Sequence, residues 1–155
     1  MEFYDLRKSY DVLVKKYKLP SFVEVDADFE IHKIDRESET LLRSVRKQMM
    51  EKIVNSVGFV EMLLSGMNAP RMYFTYIKTM PSEDRKAMED IYREFSSLII
   101  SSLELEVDYS EANEAELVKK IMKTWEGARK GFKKVLHNIQ KPSSSEKKKE
   151  RSYFG

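Results

Sequence analysis

Cysteine is missing from all 155 residues. Disulfides, thiolate metal sites and thiol nucleophiles are thereby excluded, and a reducing compartment suits the chain. Glycine and proline are scarce, five and four, so few breakers interrupt the sequence and long regular segments are expected. None of the glycines, at 58, 66, 127, 131 and 155, falls in a phosphate-loop or nucleophile-elbow pattern. Long apolar runs are also absent. The greasiest stretch, FSSLIISSL at residues 95–103, holds four serines and is about half the ~20 residues of a membrane span. Histidine is reduced to His32 and His137, and neither has the Glu three residues earlier that the Glu-x-x-His faces of di-iron bundles need. Met1 leads into the amphipathic FYDLRKSYDVLVKKY, so no secretory signal is legible and a cytoplasmic location is expected.

What is present is charge and helical periodicity. Apolar residues make up 41% and charged residues 35%, a balance that suits long helices with one wet face each. Net charge is only +2, but it is uneven: residues 22–40 carry seven acids against two bases, and residues 129–155 carry nine bases against two acids.

Apolar spacing of three and four over Phe3, Leu6, Tyr10, Leu13, Val14 and Tyr17 predicts a first helix to about Lys18, ended by Leu19-Pro20. In SFVEVDADFEIHKI the alternation of Val23, Val25, Ala27, Phe29 and Ile31 fits a strand, whereas Ser21-x-x-Glu24 is a capping box and Phe22, Val25 and Phe29 share a helical face. The chain offers no second strand to pair with, so a helical turn or two followed by an extended strap is expected. A long helix follows, capped by Asp35 or Ser38, carrying Leu42, Val45, Met49, Ile53, Val57, Val60 and Leu64, and stopping at Ser65-Gly66. A short helix is expected with Asn68 as cap and Pro70 in its first turn. The next opens, capped, at Ser82-Glu83-Asp84, whose acids favour the positive helix end, with Met88, Ile91, Tyr92, Phe95, Leu98, Ile99, Ser102 and Leu103 as its buried stripe. The last starts near Ser110, carries Leu117, Ile121, Met122, Trp125, Phe132, Leu136 and Ile139, and ends at Lys141-Pro142. Trp125 is expected in the core.

The search for chemistry finds little. The acids of EVDADFE are spaced like the start of a calcium loop, but Ile31 stands where that loop needs glycine. They read better as a solvated edge, or as a counter-charge for the basic C-terminal region. Gly127, Ala128 and Gly131 make a small patch beside Trp125, where another helix can approach closely. Arg129, Lys130, Lys133 and Lys134 form a candidate basic face on the last helix, which glutamates interrupt. Residues 141–155 are expected to be a disordered basic tail beyond a helical domain at 1–140. Lys147, Lys148, Lys149, Arg151, Tyr153 and Phe154 are its candidate partner contacts: cations speed encounter and aromatics fill a pocket.

That tail looks like a degenerate sliding-clamp-binding peptide, Gln-x-x-aliphatic-x-x-aromatic-aromatic. Tyr153-Phe154 match the aromatic pair, while Lys147 replaces the Gln and Glu150 the aliphatic residue. The segments KKYKLPSFVEVDADFEI and LLRSVRKQMMEKI resemble a family of short, uncharacterised all-helical archaeal proteins. That resemblance covers most of residues 10–125, implies a cytosolic helical protein, and brings no catalytic residue with it. The expectation is an all-α, up-and-down bundle of four to five helices with an acidic strap after the first. The expected function is a non-catalytic protein-interaction module, without cofactor or metal, that contacts a protein partner through its tail and last helix. A nucleic-acid-associated factor using the basic face is the alternative.

Overall fold

The computed structural model describes residues 3–34 and 40–141. These contain six α-helices, two 3₁₀ turns and no strand. The helices are α1 (Phe3–Tyr17), α2 (Phe22–Phe29), α3 (Leu41–Ser65), α4 (Phe74–Thr79), α5 (Ser82–Val107) and α6 (Glu111–Gln140), with 3₁₀ turns at Ile31–Lys33 and Arg71–Tyr73. The all-α bundle expected from periodicity is the fold of the chain. Candidate contacts Lys147, Lys148, Lys149, Arg151, Tyr153 and Phe154 lie outside the described residues, as do the candidate caps Asp35 and Ser38.

Local chemistry sets most helix ends. Ser21 and Glu24 close the capping box in both directions at 3.2 Å, satisfying two amides that the first turn of α2 leaves open. Ser110 Oγ accepts from the Asn113 amide at 3.3 Å and starts α6. Gly66, at φ 71°, ends α3 by donating to the Met62 carbonyl, a conformation in which a side chain is strained. α1 stops at Tyr17 because Lys18 turns left-handed (φ 58°) ahead of the proline.

Several expectations need correction. The helical turns expected after Ser21 form α2, but the segment that follows does not become extended at once. Glu30 turns left-handed (φ 53°) and the 3₁₀ turn Ile31–Lys33 follows, where an unpaired extended segment would leave its amides without partners. The N-cap of α3 is Thr40. Asn68 caps nothing and takes a left-handed turn conformation at φ 57°. Ser82 is the first residue of α5 and Pro81 precedes it as N-cap, so the serine caps nothing there.

α3, α5 and α6 pack on one another in all three pairings. Their side-chain contacts give the directions. Arg46 meets Glu114, and Lys52 meets Trp125, so α3 and α6 run parallel. Glu83 meets Lys134 while Phe95 meets Trp125, so α5 runs antiparallel to α6. The core between them holds Val45, Met49, Ile53, Phe95, Leu98 and Ile121, all sealed from solvent. α1 and α2 close one side, where Tyr10 packs edge-on against Phe22 and donates its hydroxyl to the Pro20 carbonyl at 2.8 Å.

Two of the helical glycines have opposite surroundings. A Cβ on Gly131 would sit 3.3 Å from Ile91 Cδ1, so α6 approaches α5 closely there; a Cβ on Gly127 would meet nothing within 4 Å. Close packing therefore explains Gly131 and leaves Gly127 without a packing reason. Gly127→Ala should stabilise the fold by about 0.5–1 kcal/mol through helix propensity alone, and Gly131→Ala should gain less or lose. Urea unfolding of the two variants checks this; equal gains would show that the α5–α6 contact is loose.

Candidate functional site

Trp125 lies at the edge of the core, not within it: it is half-buried. Its inner side stacks on Phe95 (6.1 Å, 28°), with Phe29 edge-on at 5.8 Å and Phe132 tilted at 5.9 Å. Its outer side faces a cleft of about 430 Å³ between α3 and α6. Lys52, Asn55, Ser56 and Phe59 form the α3 wall, and Trp125, Arg129, Phe132, Lys133 and Leu136 the α6 wall. Phe59 meets Tyr73 edge-on at 6.0 Å, which carries the aromatic surface on toward the 3₁₀ turn before α4.

The rim is cationic and partly preorganised. Lys52 Nζ sits 4.4 Å above the Trp125 ring and 5.6 Å from that of Phe29, and it donates to the Asp28 carbonyl at 2.5 Å. A cation over an indole face is held by the ring quadrupole. Arg129 reaches the Asp28 carboxylate at 3.6 Å. Part of the acidic strap thus does serve as counter-charge for the last helix, at one residue. Lys52 and Asn55 also line a second, more polar cleft of about 540 Å³ toward Glu30, Lys33 and Glu51, so the two hollows meet at these side chains.

The chain matches no protein-family model, no curated protein and no solved structure.

The four candidate residues of the basic face separate. Arg129 and Lys133, one turn apart, both line the cleft. Lys134 turns toward α5 and pairs with Glu83 at 2.8 Å, and Lys130 is exposed but does not line the cleft. Lys119 pairs with Glu116 on its own helix. His32 is taken up by Asp26, which accepts from its backbone amide at 2.8 Å and lies equally close to its ring Nδ1. Among the described residues no group of three or more His, Asp or Glu is placed to hold a metal ion, and no helix is long and apolar enough to cross a membrane.

Reasoning on α6 alone does not reach Lys52, Asn55, Ser56 and Phe59. A signal for them exists: they fall at i, i+3, i+4 and i+7 of α3, one polar-to-aromatic stripe beside the apolar one. Which helix that stripe faces is decided by register.

A second polar cluster is structural. Arg46 is 1% exposed and Glu114 fully buried. Arg46 donates from Nε and Nη2 to the two Glu114 oxygens (2.8 and 3.0 Å) and from Nη1 to Ser102 Oγ (2.9 Å). Glu106 joins at 2.9 Å and is itself held by Arg43 at 2.6 Å. The two arginines hold the Glu106 carboxyl well down, at about 2. Each nitrogen of Arg46 is directed at a partner from α5 or α6, so the cluster clamps three helices and its geometry is taken up by the fold.

Proposed function

We propose that this chain is a non-catalytic protein-interaction module whose contact surface is the aromatic cleft between α3 and α6. The observation that supports it is the combination of an aromatic floor, Phe59, Trp125 and Phe132, with a rim of Lys52, Arg129 and Lys133. Such a cleft suits an acidic peptide segment with one large apolar anchor: the anchor desolvates the floor and the carboxylates meet the rim. The C-terminal segment at 141–155, with Tyr153 and Phe154, is the second contact element of this reading. The nucleic-acid alternative is less well supported. Asp28, Glu83 and Glu116 already draw Arg129, Lys134 and Lys119, which breaks the row of free cations that a phosphate backbone needs.

Trp125 is the sole tryptophan, so intrinsic fluorescence reports on the cleft directly. Random-peptide display against the full chain should enrich acidic sequences bearing an aromatic or leucine anchor, and their titration should shift the Trp125 emission. Phe59→Ala and Lys133→Glu should each weaken them at least ~10-fold, on the scale of a lost anchor or an inverted rim charge. Enriched peptides that leave the emission unmoved would overturn the cleft as the site. Tight binding of single-stranded oligonucleotides with a steep salt slope would favour the alternative.

A further inference from the structure

α5 carries two apolar stripes. One, Met88, Ile91, Phe95 and Leu98 with buried Asp84 and Ser102 at its ends, faces the core. The other is a broader band of Tyr92, Ile99, Ile100, Leu103 and Val107, and at 100° per residue its mean direction is turned about 110° from the first. Tyr92, Leu103 and Ile99 were expected in the buried stripe; instead Tyr92 is 38%, Ile100 57%, Leu103 56% and Val107 89% exposed, and Ile99 is half-buried. A row of large apolar side chains on one exposed helix face marks an interaction site.

We infer that this face pairs with itself: a second copy of the chain packs its α5 antiparallel against the first, with the two-fold axis between Ile99 and Ile100. The pattern is self-complementary about that point. Tyr92 then lies opposite Val107 of the other copy, and small Ser96 opposite large Leu103, so a knob meets a hole on each side of the axis. Charge agrees. Arg93, which pairs with Asp90 on its own helix at 2.8 Å, and Glu104 are eleven residues, close to three turns, apart and flank the same side of the stripe, so the dimer would let Arg93 bridge both acids. In this register Arg93 of one copy falls within about 3 Å along the axis of Glu104 of the other. A parallel pair would set Arg93 against Arg93 and Glu104 against Glu104, and Leu103 against Leu103. The site is remote from the α3–α6 cleft and does not depend on the role given to that cleft.

The absence of cysteine makes the test clean. Sedimentation equilibrium of the full chain should show a dimer at tens of micromolar, and Leu103→Glu should weaken it at least ~100-fold, because an acid would be desolvated at the seam. Leu103 is exposed, so helicity by circular dichroism should be retained in that variant. Under mild oxidation Ile100→Cys should form a disulfide-linked dimer, since the two sites lie about 1.5 Å apart along the axis. Ser96→Cys should not, its copies being separated by about 10 Å along the axis. A full chain that stays monomeric at 100 µM (roughly the concentration at which ordinary specific dimers are saturated), a dimer unaffected by Leu103→Glu, or cross-linking through Ser96→Cys in preference to Ile100→Cys would each overturn the proposal.

Discussion

Arg46→Met should destabilise the fold by about 3–5 kcal/mol, and Arg46→Met with Glu114→Leu should recover most of that loss. Arg46 and Glu114 are both sealed from solvent and joined by two hydrogen bonds. Removing the guanidinium leaves Glu114 a buried charge with its principal partner gone, whereas an apolar pair of similar volume buries no charge at all. Denaturant unfolding of the single and double variants measures the coupling. A single variant within about 1 kcal/mol of the parent would show that water reaches this carboxylate. Glu106, the more exposed member of the cluster, gives the pH dependence. Its carboxyl is held at about 2 in the folded state, while in the unfolded chain it titrates in the ordinary carboxylate range near 4.3. The unfolded state therefore takes up the proton first. The stabilisation from Glu106 is complete above that range and is lost as pH falls toward 2. Glu106→Gln should flatten this part of the acid limb.

Phe95→Ala should cost about 3–5 kcal/mol, more than Trp125→Ala, although tryptophan is the larger side chain. Phe95 is fully buried and touches both Trp125 and Phe132, at 6.1 and 6.0 Å. Its removal leaves a cavity walled by rigid rings that close poorly. Trp125 is bounded by the cleft on its outer side, so truncation there widens a hollow already open to water, and only the inner face loses contacts. Thermal or urea unfolding of both variants decides the order. A larger loss for Trp125→Ala would place the indole in the core and close the cleft.

Arg46 and Glu114 were not singled out from the sequence, although the sequence carries a signal for them. Arg46 stands four residues after Leu42 and three before Met49, on the apolar face of α3, and Glu114 stands three before Leu117 on that of α6. One charge of each sign on a buried face calls for a pair. The cleft was less legible: Trp125, Arg129 and Lys133 lie on the face that the last helix shows in its sequence, but Lys52 and Phe59 join them only because α3 runs parallel to α6 in one register. Trp125 itself shows the limit of periodicity, which places a ring on an apolar face and leaves open whether a neighbour covers both of its sides.

By itself the sequence determined the helices and most of their ends, because both follow from interactions within a few residues. The 3.6-residue spacing, the Ser21–Glu24 box, the Ser110 cap and the left-handed Gly66 all act along one stretch of chain. Only the tertiary structure decided which of the two apolar stripes of α5 is buried, which cations of α6 face α3, and how far Trp125 is covered. Hydrophobicity sums over a residue's own atoms, whereas burial depends on what a second helix brings opposite it, and ridge-into-groove packing lets α3, α5 and α6 meet in one register only where Arg46 reaches Glu114 and Gly131 admits Ile91.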